Sequence, residues 1–448
     1  MSGWMDERQH LPGTHHHFSH TSPAEARLLA LGELIPKTER DIEHMASRRH
    51  ALVALGLSTA VLVMLTAWGG VAWMRPVGAL TFHAAATGSA RLPGPLPSLP
   101  WPATGSAALA ASGGGSLGTS GGSHPVPIAG VAEVMTAYLV MYDHPLVSGA
   151  PGPAIAVTDT AVASYRAGAA LRIPVLPLVG GEQMSELQAL EGMLVARGSD
   201  LAVLLAEWDA GTEQSFVVKM NAAAATLGLR STTFADSTGL DPRTTSTPGD
   251  LIRLGEAAMA SPVLAGIVAM AQVTLPVVGT VYNSDSDLGH DGMAGIAFGS
   301  SQSAGGCFLF WAHQVVAGRI MTVIGAELGQ VGTSRQATAM GNARALVIAA
   351  FAQVGTFRSL EFAGGAAGSI HAPWGSSTSV TADPVEMVGW PGEVATIRFR
   401  TGPLAVGIRA GTQVGTAQVD LGGGATDLVL RAAGPVHGPP TMWRITRS

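Results

Sequence analysis

PIAGVAEVMTAYLVM, residues 127–141, carries apolar side chains at Ile128, Val131, Met135, Tyr138 and Leu139, continued by Tyr142 just beyond it. Spacings of three, four and seven are the helical period rather than the strand period. Pro127 suits a first helical turn, where its missing N–H leaves nothing unsatisfied. Gly130 and Glu133 stand three apart and so project from the same side of that turn. The pair is chemically odd: a residue with no side chain beside a carboxylate, on a helix otherwise patterned for a core.

The helical pattern continues on the C-terminal side of this stretch. Ser185 and Gln188 form a capping box ahead of Leu187, Leu190 and Leu194. Leu201, Leu204, Leu205 and Trp208 mark a second helix; Phe216, Met220 and Leu227 mark a third, stopped by Gly228. Thr247-Pro248-Gly249-Asp250 opens a fourth. The runs CFLFWAHQVV and RIMTVIGAEL flank Ala317-Gly318 and read as a buried hairpin, followed by an Ala-rich helix from about Arg335 to Phe351. Helices on either side of paired antiparallel strands predict an α+β layer fold over 124–362. After a Gly/Ala break at 363–368, short alternating segments (VATIRFR, GTAQVDLG, TDLVLRA) predict a small all-β domain over 369–448.

Toward the N-terminus, residues 51–74 are 24 uncharged, mostly apolar residues, long enough to span a bilayer with some tilt. Lys37, Arg40, Arg48 and Arg49 precede the run, and Arg75 and Arg91 are the basic residues soon after it. The positive-inside bias therefore places residues 1–50 in the cytoplasm, as a disordered tail, and the rest outside. A signal peptide cleaved near Ala84-Ala85-Ala86 is the rival reading; the long apolar run and the 50 residues ahead of it favour an uncleaved anchor. Residues 75–123, rich in Pro, Gly, Ser and Ala and ending in ASGGGSLGTSGGS, are expected to be a linker.

Composition excludes several chemistries. The net charge is −6, with no basic stripe, so nucleic acid is not an expected partner. Cys307 is the sole cysteine, which rules out an internal disulfide and reads as an inert core thiol. No cofactor or metal is expected. The run HLPGTHHHFSH at 10–20 offers imidazoles but lacks a folded frame, and the acidic run with Asp285, Asp287 and Asp291 lacks the spacing of a calcium loop, so it reads as a loop of solvated carboxylates. The chain has two lysines, Lys37 and Lys219, preceded at three residues' distance by Leu34 and Phe216. A Ser-x-x-Lys or Lys-Thr-Gly mechanism is thereby excluded.

Residues 127–141 nevertheless resemble the nucleophile helix of the serine D-alanyl-D-alanine carboxypeptidases, the low-molecular-mass penicillin-binding protein family, whose pattern there is Ser-x-x-Lys. Gly130 stands at the nucleophile and Glu133 at the lysine. DGMAGIAFGSSQSAGGCFLF, residues 291–310, is similar to the family's Lys-Thr-Gly strand, with Ala297 and Phe298 replacing Lys and Thr, and Gly299 kept. MLVARGSDLAVLLA resembles the Ser-x-Asn loop, with Arg197 and Ser199 in place of Ser and Asn. FADSTGLDP at 234–242 and VGWPG at 388–392 match further family segments.

The resemblance implies a β-lactamase/transpeptidase-like domain, helices packed on an antiparallel sheet, followed by a small β domain. It also implies acyl transfer, which needs a hydroxyl nucleophile, an amine to take its proton, and donors aimed at the oxyanion and the substrate carboxylate. Gly130 supplies no nucleophile; Ala297 and Phe298 remove a cation and a hydroxyl. The expected function is thus a membrane-anchored, extracytoplasmic non-catalytic relative that binds a peptidoglycan stem peptide or a cell-wall protein. Asp200, Gly299 and Ser300 are the residual cleft residues. The alternatives are a carboxypeptidase with unconventional activity and a structural anchor with its site closed. Glu133 and Arg197 are expected to pair across the former site, with Phe298 filling volume beside them, because buried charges are rarely left alone.

Overall fold

The computed structural model describes residues 35–84 (side chains from 47), 89–113, 115–362, 364–421 and 424–447. The histidine-rich run at 10–20 lies outside them. The chain forms two units, one of residues 1–77 with 439–448 and one of residues 78–438.

In the first unit, a helix runs over Ile35–Met74, and its Ser47–Met74 part is long and apolar enough to cross a membrane. At 1.5 Å per residue those 28 residues extend about 42 Å, against a hydrocarbon core of about 30 Å. The helix begins inside the stretch expected to be a disordered tail, since Glu, Arg, Met and Ala between 36 and 50 are strong helix formers. A short helix, Thr441–Thr446, belongs to the same unit: the Arg444 guanidinium lies 4.7 Å over the Trp73 ring, and Arg75 Nη1 donates to the Arg447 carbonyl. The β domain therefore ends before 439. Pro439-Pro440 offer no backbone donors to extend a sheet, and Pro440 instead stands at the start of this helix.

The second unit is built on two antiparallel sheets. The five-stranded sheet has the order Ala297–Ser301, Gly305–Val316, Arg319–Gln330, Ser106–Ala111, Ser116–Ser120. Helix Arg335–Phe351 covers one face, burying Leu346, Val347 and Phe351 together with Phe308, Phe310 and Trp390. The other face carries helices Glu133–Asp143, Glu186–Leu194, Ser199–Ala210, Glu213–Thr226 and Pro248–Met259, whose core includes Met135, Leu190, Leu204, Phe216 and Leu254. The capping box at Ser185 and Gln188 is formed in both directions. The eight-stranded sheet runs from Thr81–Ala84 through Gly368–His371, Ser377–Ala382, Gly424–Ala432, Gln413–Leu421, Val394–Arg400 and Ser89–Arg91 to Glu361–Phe362, over a core of Leu92, Ile370, Val419 and Leu430.

Residues 75–123 are not a linker. They supply two strands to each sheet, and Leu92, Leu109 and Leu117 are almost fully buried. Their small residues serve close packing rather than flexibility. Gly105 and Gly121 both have positive φ, +69° and +79°, and a Cβ on either would run into a backbone carbonyl, of Leu328 and of Gly105 respectively. The 127–141 stretch also begins differently from expectation. Val126–Pro127 pairs with Thr245–Ser246, a 3₁₀ turn follows over Ala129–Ala132, and the α-helix starts at Glu133. A strand bridge, not a first helical turn, thus accommodates Pro127, and Gly130 sits inside the 3₁₀ turn.

Candidate functional site

Four segments converge at the start of the Glu133–Asp143 helix. The 3₁₀ turn carries Gly130; the helix N-terminus carries Glu133; the loop before helix Ser199–Ala210 carries Arg197; and strand Ala297–Ser301 lies directly against the turn. A Cβ added to Gly299 would fall 2.5 Å from the Gly130 nitrogen, so two glycines let strand and turn touch backbone to backbone. Gly239, with φ +76°, lies against the Ala129 carbonyl, and Thr136 Oγ1 donates to the Ser237 carbonyl at 2.7 Å. The FADSTGLDP segment therefore buttresses the turn from behind.

Glu133 is fully buried, yet both its oxygens are engaged. Arg197 Nη1 approaches Oε2 at 3.2 Å and Ser199 Oγ donates to Oε1 at 2.8 Å. Burial pushes the Glu133 carboxyl up to about 7, outweighing the opposing effects of the Arg197 charge and the Ser199 hydrogen bond. Arg197 adopts φ +65°, uncommon outside glycine, and its side chain is buried. Its guanidinium lies 4.5 Å from the centroid of the Phe298 ring, which packs edge-on against Phe308. A Cβ on Gly130 would collide with Arg197 Nη2 and stand 3.2 Å from the Phe298 carbonyl. The space a nucleophile side chain would need is occupied by a guanidinium.

The remaining expected residues divide. Ala297 is buried toward the helical core; Gly299 is buried against the turn; Ser300 is exposed at the strand end. Asp200, expected in the cleft, is held by the backbone of a neighbouring segment. It is fully buried, and its carboxylate accepts the Leu176 N–H at 3.1 and 3.3 Å; burial raises its pKa to about 6. One residue along a helix is a rotation of about 100°, so Asp200 turns away from the face that Ser199 presents. Cys307 is buried beside the Ala304 carbonyl, and burial pushes its thiol up to about 12.

The acidic run is a correction as well. Asp285 and Asp287 are buried rather than solvated, the Asp287 N–H donates to Asp285 Oδ1 at 2.9 Å, and Arg344 pairs with Asp291 at 2.6 Å. The sequence reading missed the supporting roles of Thr136 and Gly239. For Gly239 the signal was the run FADSTGLDP, dense in turn formers; Thr136 had none, since its partner Ser237 lies 101 residues away.

The Glu133–Arg197 cluster thus lies at the junction of the helical layer and the edge strand of the five-stranded sheet, and known proteins share this arrangement of helices on an antiparallel sheet. Residues 110–327 match the family of D-alanyl-D-alanine carboxypeptidases. Among relatives, D-alanyl-D-alanine carboxypeptidase DacF of Bacillus subtilis is 45% identical over 60 residues, 13% of this chain and 15% of that protein. DacB2 of Mycobacterium tuberculosis is 40% identical over 99 residues, 21% and 34%. A D-alanyl-D-alanine endopeptidase of Pseudomonas aeruginosa is 34% identical over 140 residues, 31% and 42%. The chain thus spans less than half the length of these relatives.

Among solved structures, the Streptomyces K15 DD-transpeptidase aligns with a TM-score of 0.50 at 24% identity, over 57% of this chain and 99% of its own. DacD of Francisella tularensis aligns at 0.54 and 17%, over 76% and 95%. At these identities the structural likeness speaks for the fold. Through residues 110–327, just under half of its length, the chain is similar to the D-alanyl-D-alanine carboxypeptidases.

Proposed function

We propose that this is a membrane-anchored, extracytoplasmic and non-catalytic relative of the carboxypeptidases, acting by binding a cell-wall stem peptide or a wall-associated protein. The observation that carries the reading is the Arg197 guanidinium, paired with buried Glu133, in the space beside Gly130. Acyl transfer requires a hydroxyl there and a base beside it. A carboxylate locked to an arginine has no nucleophile to activate at that position. The basic residues ahead of the apolar helix support a cytoplasmic N-terminus and an external 78–438 unit.

The test is incubation of the purified protein with a fluorescent penicillin and with a peptide ending in D-Ala-D-Ala. No covalent adduct and no released D-alanine are expected, and a stable mass increase matching the acyl-protein would sink the reading. One contact favours the enzymatic alternative. Ser199 Oγ is bonded to Glu133, a carboxyl raised to about 7, and a hydroxyl on a neutral-pH base is a possible nucleophile pair. D-alanine release that disappears in Ser199→Ala would establish that alternative.

A further inference from the structure

The far end of the same helix builds a second recess that the acyl-transfer chemistry does not use. Tyr142 lies nine residues beyond Glu133, about 13 Å along the helix axis. Tyr138 and Tyr142 are one turn apart and stacked, with ring centroids 6.2 Å apart and planes inclined by 29°, and the outer ring, that of Tyr142, is largely exposed. Helix Glu213–Thr226 faces it with Ala222 and Ala223, which have nothing beyond Cβ, leaving a cavity of about 270 Å³. Pockets for drug-sized ligands run to about 300–1,000 Å³, so this one admits a single ring of a longer molecule.

One end of the recess is polar and fixed. Lys219 is gripped by Asp143 and by Asp209, and His144 Nε2 stands 3.2 Å from Asp209 Oδ1 with its ring 4.0 Å from that of Trp208. Thr226 Oγ1 donates to the Ala222 carbonyl, which leaves its lone pairs to accept a ligand hydroxyl. The two carboxylates outnumber the ammonium, so an anion gains nothing from the lysine. A wholly apolar ligand would strip water from the partly exposed Asp143 carboxylate and from Thr226 and return no hydrogen bond. The complement to this site is a neutral ring with a C–H face for the exposed Tyr142 ring and hydroxyl donors at its edge for the Asp143 carboxylate and Thr226.

We propose that the recess binds a neutral pyranose unit of an extracytoplasmic glycan. From the proposed function this takes only the external placement of the 78–438 unit. The full chain in lipid nanodiscs, free of sugar-headed detergent, is titrated with the soluble tetramer of N-acetylglucosamine and followed by saturation-transfer NMR and calorimetry. Transfer to the ring C–H protons is expected. Tyr142→Ala should weaken binding about tenfold, and Tyr142→Phe should keep it within about twofold, because the ring face and not the hydroxyl makes the contact.

Tyr142 is 72% exposed, so both variants should melt as the native chain does. Absence of transfer from the folded native chain, or full affinity in Tyr142→Ala, overturns the proposal. A penicillin adduct would remove the non-catalytic reading and leave this recess untouched, whereas loss of ring-dependent glycan binding removes the recess alone.

Discussion

Glu133 and Arg197 form a desolvated ion pair at the start of helix Glu133–Asp143. Removing one member of a desolvated ion pair strands the other and costs about 3–5 kcal/mol, against about 1 kcal/mol or less for an exposed pair. Here the Glu133 side chain is wholly buried and that of Arg197 is 10% exposed. Glu133→Ala should therefore lower the unfolding free energy by about 3 kcal/mol or more, and the double variant with Arg197→Ala should lose less than the sum of the singles. Urea denaturation of the four proteins measures this; strict additivity would mean that the two side chains act independently. The pairing was legible in the sequence because the resemblance brings Gly130, Glu133 and Arg197 together, and a buried carboxylate beside an arginine is rarely left unpaired. The burial of Asp200 was not, because a one-residue rotation at a helix start depends on where the preceding loop ends.

At the next level up, legibility followed side-chain size. The hairpin Gly305–Val316 with Arg319–Gln330 and the helix Arg335–Phe351 were readable because large apolar residues alternate or recur in them. Strands Ser106–Ala111 and Ser116–Ser120 were not, since Ala, Ser and Gly carry almost no periodic signal and their composition is that of a flexible linker. Helix Asp159–Ala170, dominated by Ala, Gly and polar residues, escaped for the same reason. The small residues are specific all the same. Gly121→Ala would need a left-handed backbone and a Cβ inside the Gly105 carbonyl, so it should destabilise the 78–438 unit by about 1–3 kcal/mol or more. Gly122→Ala, also at positive φ but with open space around it, should lose only the backbone part. Equal melting temperatures for the two variants would show that strand Ser116–Ser120 is not held against its neighbour.

The molecule as a whole carries ionisable groups inside a chain poor in charge, and this sets how its stability responds to pH. Burial raises Glu133 to about 7 and Asp200 to about 6. It raises Glu327, fully buried on strand Arg319–Gln330, to about 8. Unfolded, the two glutamates return to 4.5 and the aspartate to 3.8, so between those values and the folded ones the native state binds more protons than the unfolded chain. The stability these groups contribute is fully present below about pH 4 and is lost as pH rises through about 6 to 8. Asp241, lowered to about 2 by its hydrogen bonds with Arg243, has the opposite sign, but it titrates too low to act in that window. The melting temperature of the 78–438 unit is accordingly expected to fall between about pH 5 and about pH 8.5. Glu327→Gln, which cannot ionise, should flatten that slope whatever it does to the absolute value. A melting temperature that is level or rising across the interval would mean that these carboxyls are already ionised within the fold, and that Arg197 holds Glu133 charged more strongly than burial opposes it.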